Sequence, residues 1–352
     1  QKQASLCYKK LNMSKKNSNV RSLKRLRQNK IETSKIYLNF ENLLNKIIKK
    51  KTFLVAVSGG PDSLALTALS KIYAKRNNNK VTYILIDHGI RKNSNSEALL
   101  VKKILKKQKI LLNIVRNKEK IFKNIQNQAR LIRYNLISKF CEKKNIKFVL
   151  TGHHSDDQVE TFLMRLSRGS GVQGLSAMKK ISKISKNITL IRPLLNLKKK
   201  DLSQIAKTFF GRVIKDPSNE NKKYLRTRIR SLKKALEKSG IHHDQIIKSI
   251  NNLASTRDTL NNHIYKVLNL CIKKKKNITT INTKLLFAES MEVQLRVMSY
   301  AIKNFSKSYY PPRSKKVLNL LSRLNDSKNN KSTLGGCVIE KSGHFVSIRK
   351  EN

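Results

Sequence analysis

Residues 52–74 read TFLVAVSGGPDSLALTALSKIYA, and their order decides the fold. TFLVAV is an unbroken apolar run of strand length, SGGPDS is a turn holding two glycines and a proline, and Leu64, Leu66, Ala68, Leu69 and Ile72 recur with helical spacing. A strand, a glycine-bearing turn and a helix in succession make a ready anion site. Free N–H groups of the helix's first turn point at the ligand, Gly59 and Gly60 permit close approach, and the hydroxyls of Ser58 and Ser63 add donors. No lysine follows the glycines, which excludes the Walker-type triphosphatase loop. A plain turn capped by Asp62 or Ser63 is the competing reading; it accounts for Gly and Asp but not for the flanking serines.

Further along, VTYILI ends at Asp87, His88 and Gly89, about thirty residues later, which is the spacing of a βαβ unit with a right-handed crossover. ILLNIV at 110–115 and KFVL at 147–150 repeat the rhythm. The expected fold class is therefore α/β with a parallel, Rossmann-like sheet. Polar residues at the carboxyl ends of the first, second and fourth strands face one crevice, where open α/β sheets bind ligands. That places Asp87 and His88 beside the glycine loop, with turn capping by Asp87 as the bland alternative.

The densest segment is TGHHSDDQVETFLMRLSRGSGVQGLSAM, residues 151–178, with a helix opening near Ser155. His153, Asp157, Glu160 and Met164 recur at intervals of four, three and four, so Asp157 and Glu160 share one face. Two adjacent carboxylates hold an ammonium or a metal. Acids in a first helical turn also complement the macrodipole, which explains Asp156 and Asp157 better than Glu160. A His-His-x-Asp-Asp hydrolase site is a further reading, but no second histidine cluster in the first 240 residues completes it. RGSGVQGLSAM reads as a mobile loop closing over substrate or RNA, or as a long connector. Seven of only 12 glycines lie in these segments, where the scarce acids also gather.

Across 352 residues, 77 Lys and Arg face 21 Asp and Glu, a net charge of +56. This excludes an acidic or neutral carrier and points to a polyanion, nucleic acid or an anionic membrane surface, without choosing between them. The hydrophobic content of 39% supports one large core and a second smaller one. With no run of eighteen apolar residues and no secretory pattern, the expected protein is soluble and intracellular, with no membrane partner. Cys7, Cys141, Cys271 and Cys337 are far apart and form no C-x-x-C pair, against a zinc ribbon, an iron–sulfur cluster or a disulfide scaffold.

In this order, SGGPDS, DHGIR, ARLIRY, TGHHSDDQVET, RGSGVQGLSAM and IRPLL resemble the tRNA(Ile)-lysidine synthases of the N-type ATP pyrophosphatase, or PP-loop, superfamily. SGGPDS gives only the superfamily; the longer segment and its RGSG continuation narrow it. The resemblance covers roughly residues 52 to 232, and TLGGCVIE at 333–340 is similar to a stretch in some bacterial members. It implies an adenine nucleotide alpha hydrolase-like domain in which ATP with Mg2+ adenylates the base carbonyl of the wobble cytidine of tRNA(Ile) bearing a CAU anticodon. L-Lysine then displaces AMP, giving lysidine and shifting codon reading from AUG to AUA.

The resemblance further implies that Ser58, Gly59, Gly60, Pro61, Asp62 and Ser63 hold the pyrophosphate of ATP, and that Asp87 and His88 lie toward its nucleoside. Arg130 and Arg133 match positions near the nucleotide, and Asp157 and Glu160 match positions that hold lysine. No protein cage for a metal is implied; Mg2+ comes with ATP, and Asp62 is its candidate ligand. An arginine of YLRTRIR belongs close to ATP and lysine: Arg226 is the best match, Arg228 competes with it, and Arg230 lies in the same stretch, while Arg192 of IRPLL is a separate basic residue of the matched segments. The catalytic set is then Asp62, Asp157, Glu160 and Arg226.

Three segments are expected: a basic arm and lead-in helix at 1–50, the catalytic domain at 51–235, and a mainly helical tRNA-binding domain at 236–352 ending in a hairpin. An acid-poor arm with Arg and Ser also fits an organelle transit peptide, although a cytoplasmic enzyme is the main expectation. The assembly is left open, a homodimer among the candidates. A tRNA thiolase would share the loop but needs paired cysteines near the site, and a catalytically inactive RNA-binding scaffold predicts decayed segments where SGGPDS, HHSDDQVE and RGSG are intact.

Overall fold

In the computed structural model the apolar run becomes β1 (Phe53–Ala56), paired in parallel with β2 (Val81–Asp87) on one side and β4 (Phe148–Leu150) on the other. The described residues are 30–31, 34–90, 93–119, 125–211, 225–275, 277–306, 308, 311–326 and 329–351; the arm up to residue 29 and the DPSNENKKY turn, with Cys7, lie outside them. β3 (Leu112–Arg116) pairs in parallel outside β2, β6 (Thr189–Ile191) in parallel outside β4, and β5 (Ile181–Lys183) closes the edge antiparallel. The order is β3-β2-β1-β4-β6-β5.

Both faces of this sheet are covered, which is why β1 is apolar without alternation. Phe53 and Val55 join a core with α1 (Lys35–Ile47), α2 (Pro61–Arg76), α3 (Ser94–Lys107) and α7 (Lys199–Phe210) through Leu44, Leu66, Val101 and Leu202. Leu54 points the other way, into a core with Ile84, Val149 and the Ile137 and Cys141 side chains of α4 (Ile125–Lys143). α2 is buried over nearly its whole circumference, so its polar Thr67 is satisfied internally, the hydroxyl donating to the Ser63 carbonyl at 2.7 Å. The lead-in helix α1 starts at Ser34, whose Oγ accepts from the Tyr37 amide at 3.2 Å.

Strand order runs outward from β1 in opposite directions, toward β3 through β2 and toward β6 through β4. Such a switch point leaves a crevice at the carboxyl ends of the strands. The turns after β1, β2 and β4 all open there. The chain continues through α5 (Ser155–Leu166), α6 (Val172–Leu175) and α7, which stops at left-handed Gly211 (φ 77°). The basic stretch up to Gly240 forms two short helices, α8 (Leu225–Ser231) and α9 (Lys233–Lys238), followed by α10 (His243–Cys271).

The described residues fall into two compact units, one ending at Asn251 and one beginning at Asn252. The second contains α11 (Thr283–Phe287), α12 (Met291–Ser306) and α13 (Ser314–Asp326). Its antiparallel sheet, in the order β7-β8-β11-β10-β9, comprises β7 (Ile272–Lys274), β8 (Thr279–Asn282), β9 (Asn329–Thr333), β10 (Cys337–Ser342) and β11 (Phe345–Lys350). The expected terminal hairpin is β10–β11, turned by left-handed Gly343 (φ 54°). The other three strands carry no strand signal of their own because IKK, TTIN and NNKST are short and polar; the pairing of Val346 with Ile281, of Ile339 with Ser332 and of Ile281 with Ile272 brings them in. Ile281, Ile339, Val346 and Ile348 pack on Val297, Met298, Val317 and Leu321.

Candidate active site

The SGGPDS turn is closed by its own last residue. Ser63 Oγ accepts from the amides of Ser58 and Gly59 and from the Ser58 hydroxyl, each at 3.1 Å, and donates to the Gly60 carbonyl at 3.0 Å. The two serines that a capped turn left unexplained are thus one structural unit, with Ser63 shaping the loop from inside. Gly59 is left-handed (φ 88°), and a Cβ there would stand 2.6 Å from Val101 Cγ2 of α3, so sterics alone require glycine. Gly60 is the N-cap and Pro61 the first residue of α2, which leaves the first-turn amides without partners inside the helix.

A cavity of about 440 Å3 opens over this loop, and its wall includes Ser58, Asp62, Ser63, Asp87, His88, Arg133, Asp157 and Arg226. Glu160 is not on that wall. It borders an adjoining apolar pocket of about 160 Å3, between Val159, Leu163 and Arg230. Asp87 serves both of its readings: Oδ1 accepts from the Gly89 amide at 3.0 Å, capping the turn, and the side chain also lines the cavity. Arg130 is exposed and lies over the Tyr134 ring, 5.3 Å from its centroid. Arg228 is exposed, whereas Arg226 turns inward. Arg192 is buried and structural, its Nη1 donating to the Lys179 carbonyl at 2.7 Å and to Ser182 Oγ at 3.0 Å beside β5.

The acid pair on α5 is engaged by α8. Arg226 donates from Nη2 to Asp157 Oδ1 at 2.8 Å and from Nε to Glu160 Oε2 at 2.5 Å, and Arg230 Nε donates to Glu160 Oε1 at 2.5 Å. Two guanidiniums therefore neutralise two nearly buried carboxylates. The following segment is tethered where a mobile loop was expected. Arg165 Nη1 donates to the Gly174 carbonyl at 2.6 Å and the Ala177 carbonyl at 3.1 Å, and Gln158 exchanges two hydrogen bonds with the Met178 backbone.

Three histidines differ sharply. His153 is pushed down to about 3 by burial and then by Arg192, Arg130, Arg226 and Arg133, and Thr151 Oγ1 lies 2.9 Å from its Nδ1. His88 falls to about 4 through burial and the neighbouring Arg133, whose Nε donates to its Nε2 at 3.4 Å. His154 goes the other way. Burial opposes its charge, but contacts with Asp156 and Asp62 and the charge of Asp157 lift it to about 10. The site thus offers two neutral imidazoles and one imidazolium. His153, His154 and Gly152 carry more of this geometry than sequence reasoning gave them. Their signal was the TGHH run itself, read only as a possible metal cluster. A Cβ on Gly152 would lie 3.0 Å from the Asp62 carbonyl oxygen, so this glycine lets the β4 turn press against the phosphate loop.

Asp62 Oδ1 is buried with no hydrogen-bond partner among the described residues. A lone hard oxygen beside a phosphate loop fits a Mg2+ whose other ligands come from phosphates and water. Among the described residues no group of three or more His, Cys, Asp or Glu side chains is arranged for a metal. Cys141 is buried in the core with its thiol pushed up to about 12 by burial and Glu142, far from a reactive state. None of the described helices is long and apolar enough to cross a membrane.

The PP-loop domain family matches residues 32–236. A tRNA(Ile)-lysidine synthase of Wolbachia pipientis wMel is 35% identical over 324 residues, covering 90% of this chain and 74% of the relative. That of Orientia tsutsugamushi (strain Boryong) is 34% identical over 308 residues, covering 84% and 69%. Among solved structures, a U34-tRNA thiolase from Methanococcus maripaludis superposes with a TM-score of 0.50 at 19% identity, over 62% of this chain and 79% of that one, a likeness of fold alone.

Proposed function

This chain belongs to the tRNA(Ile)-lysidine synthase family of ATP-using PP-loop ligases, and we propose that it joins the side-chain amine of L-lysine to the wobble cytidine in the CAU anticodon of an isoleucine tRNA. The observation that carries this reading is the single cavity uniting the phosphate loop at Ser58 and Asp62 with Asp157 and Arg226. A nucleotide and an amine can meet there.

The chemistry follows from a poor leaving group. The oxygen of the cytosine carbonyl attacks the α-phosphorus of ATP and the bond to pyrophosphate breaks. The neutral amine of lysine, having lost one ammonium proton, then attacks the carbonyl carbon, the carbon–oxygen bond breaks, AMP carries the oxygen away, and a second proton leaves the new C–N nitrogen, which keeps its last hydrogen. The first turn of α2 and the loop amides hold the departing pyrophosphate. Mg2+ bound with ATP supplies charge neutralisation, and Asp62 is the side chain that would hold it. His88, neutral and with Nδ1 buried but unpartnered among the described residues, offers a donor on the nucleoside side. Asp157 and Glu160 hold the lysine ammonium and help remove its proton, since only the neutral amine is nucleophilic. Because they already hold Arg226 and Arg230, the incoming ammonium joins or replaces a guanidinium. Arg226, against both acids and on the cavity wall, completes the catalytic set.

The carboxyl-terminal unit is assigned to tRNA phosphate contact. A cleft of about 1190 Å3 in it is lined by Lys274, Lys275, Lys331, Arg349 and Lys350, with no Asp or Glu among the described residues of its wall. The place of action is the cytoplasm, where the tRNA is used. The reading is tested by incubating the chain with ATP, labelled lysine and isoleucine tRNA bearing CAU. Label should enter the RNA with release of AMP, and Asp62→Ala, Asp157→Ala and Glu160→Ala should each abolish it. Unlabelled RNA from the unsubstituted chain rejects the assignment.

A further inference from the structure

His154 has no part in the chemistry above, yet it is only 3% exposed and lies among three carboxylates. Its Nε2 is 3.4 Å from Asp62 Oδ2 and 3.5 Å from Asp157 Oδ2, and its Nδ1 is 3.5 Å from Asp156 Oδ2. Asp62 belongs to the phosphate loop on α2, and Asp157 to the acid pair on α5. One imidazole edge therefore faces the two carboxylates that the proposed reaction uses for different substrates.

The backbone holds this arrangement in place. His154 is the N-cap of α5, and its own amide donates to Asp157 Oδ2 at 3.0 Å. Gly152, two residues earlier, brings the β4 turn against the Asp62 backbone. Asp156 is held from the far side by the Lys199 amide at 3.2 Å and by Lys233 Nζ at 3.3 Å. Asp157 is also held on its other oxygen by Arg226 Nη2 at 2.8 Å, so the imidazole fills the gap between the two carboxylates and fixes their separation.

We propose that His154 is a positioning residue that braces Asp62 and Asp157 against each other, so that the nucleotide side and the amine side of the cavity are set by one side chain. The proposal rests on the reading that Asp62 serves ATP and Asp157 serves lysine. It goes beyond that reading in making the two sites interdependent. Loss of the imidazole disturbs both substrates, whereas loss of either carboxylate disturbs chiefly its own.

The test uses the full chain and the His154→Asn and His154→Gln variants, each of which keeps a polar side chain at the start of α5 but removes the imidazole that reaches both carboxylates. Steady-state incorporation gives KM for ATP, KM for lysine and kcat separately, and calorimetry with a non-hydrolysable ATP analogue gives nucleotide affinity without turnover. Both KM values should rise roughly ten- to hundredfold, as when an outer partner of a binding group is removed, and analogue affinity should fall in parallel. A purely structural histidine predicts a lower melting temperature with both KM values at parent level, and that result overturns the proposal, as does a rise in one KM alone. If the parent incorporates no lysine but analogue affinity still falls in the variants, the functional reading fails while the brace to Asp62 stands. Should neither variant fold, the imidazole 15N resonances of His154 in the parent chain decide: they should move on addition of the analogue and again on addition of lysine, and indifference to either ligand overturns the proposal.

Discussion

Arg226 and Glu160 meet at 2.5 Å, Nε to Oε2, while the other end of the same guanidinium reaches Asp157, so one side chain of α8 ties together both acids of α5. The partners are unequally buried. The Glu160 side chain is 8% exposed and that of Arg226 36%. Removing the arginine leaves Glu160 a second cation in Arg230, and the vacated space can fill with water. Removing Glu160 leaves two guanidiniums facing each other. Glu160→Gln should therefore destabilise the first unit by about 2 kcal/mol, a figure below that for a fully buried pair because both arginines are partly hydrated, and Arg226→Ala by about 1 kcal/mol. Urea unfolding of the two variants checks the order, and the reverse order contradicts this account.

Gly59 carries two separate costs. Its φ of 88° disfavours any Cβ, and a Cβ there would stand 2.6 Å from Val101 Cγ2. Gly59→Ala should destabilise by about 2–3 kcal/mol, of which about 1–2 kcal/mol is the left-handed backbone. Gly89, also left-handed at φ 65° but with nothing within 4 Å, isolates the backbone part. Gly89→Ala should then cost less than Gly59→Ala, and adding Val101→Ala to Gly59→Ala should recover some ATP binding but not all. Melting temperatures and nucleotide titrations of these variants separate the contributions.

Much of this was legible from residues whose geometry admits few substitutes. An apolar run without alternation is a strand covered on both faces, and SGGPDS after it left room for little but a loop at a helix start. Asp157 and Glu160 shared a face because helical spacing requires it. What stayed hidden depended on contacts from elsewhere in the chain. Nothing in YLRTRIR says which arginine turns inward until α8 is laid against α5. The hydroxyl of Ser63 looked like a ligand donor because its partners, the amides of Ser58 and Gly59, belong to the same six-residue turn. IKK, TTIN and NNKST are too short and polar to read as independent strands; TTIN pairs with β11, NNKST with β10, and IKK with TTIN in turn.

The histidines make a prediction about pH. His88 and His153 are lowered to about 4 and about 3, so each should remain neutral at pH 6, where an ordinary imidazole is largely charged. His154, raised to about 10, should still be charged at pH 8. The signs for stability are opposite. The two lowered groups contribute stability that is present above about pH 6.5 and is lost as pH falls toward their folded values. The raised group contributes stability that is complete below about pH 6.5 and is lost as pH climbs toward 10. Imidazole 15N shifts followed across this range should show two early neutral rings and one late-titrating ring among the seven histidines. Three rings titrating together near neutrality contradict the described site.

The cleft of the second unit makes the last prediction, because five cations line it and, although Arg349 pairs with Glu340 behind it, no carboxylate is on the described wall. Lysines that neutralise phosphates release counterions on binding, so each lost contact lowers the slope of log affinity against log salt by roughly 0.7–0.9. Lys275, Lys331 and Lys350 are exposed and lie outside the core of the unit. Their joint replacement by Ala should leave folding within about 0.5 kcal/mol of the parent, as surface changes do. It should weaken tRNA binding and flatten the salt slope by about 2–3. The anticodon should matter differently. These contacts carry no base information, so parent and variant should prefer a CAU anticodon over another by the same ratio. Filter binding between low and physiological salt, with matched tRNAs, tests both statements. An unchanged slope would mean that the cleft does not touch RNA, and a changed anticodon ratio that it does more than hold the backbone.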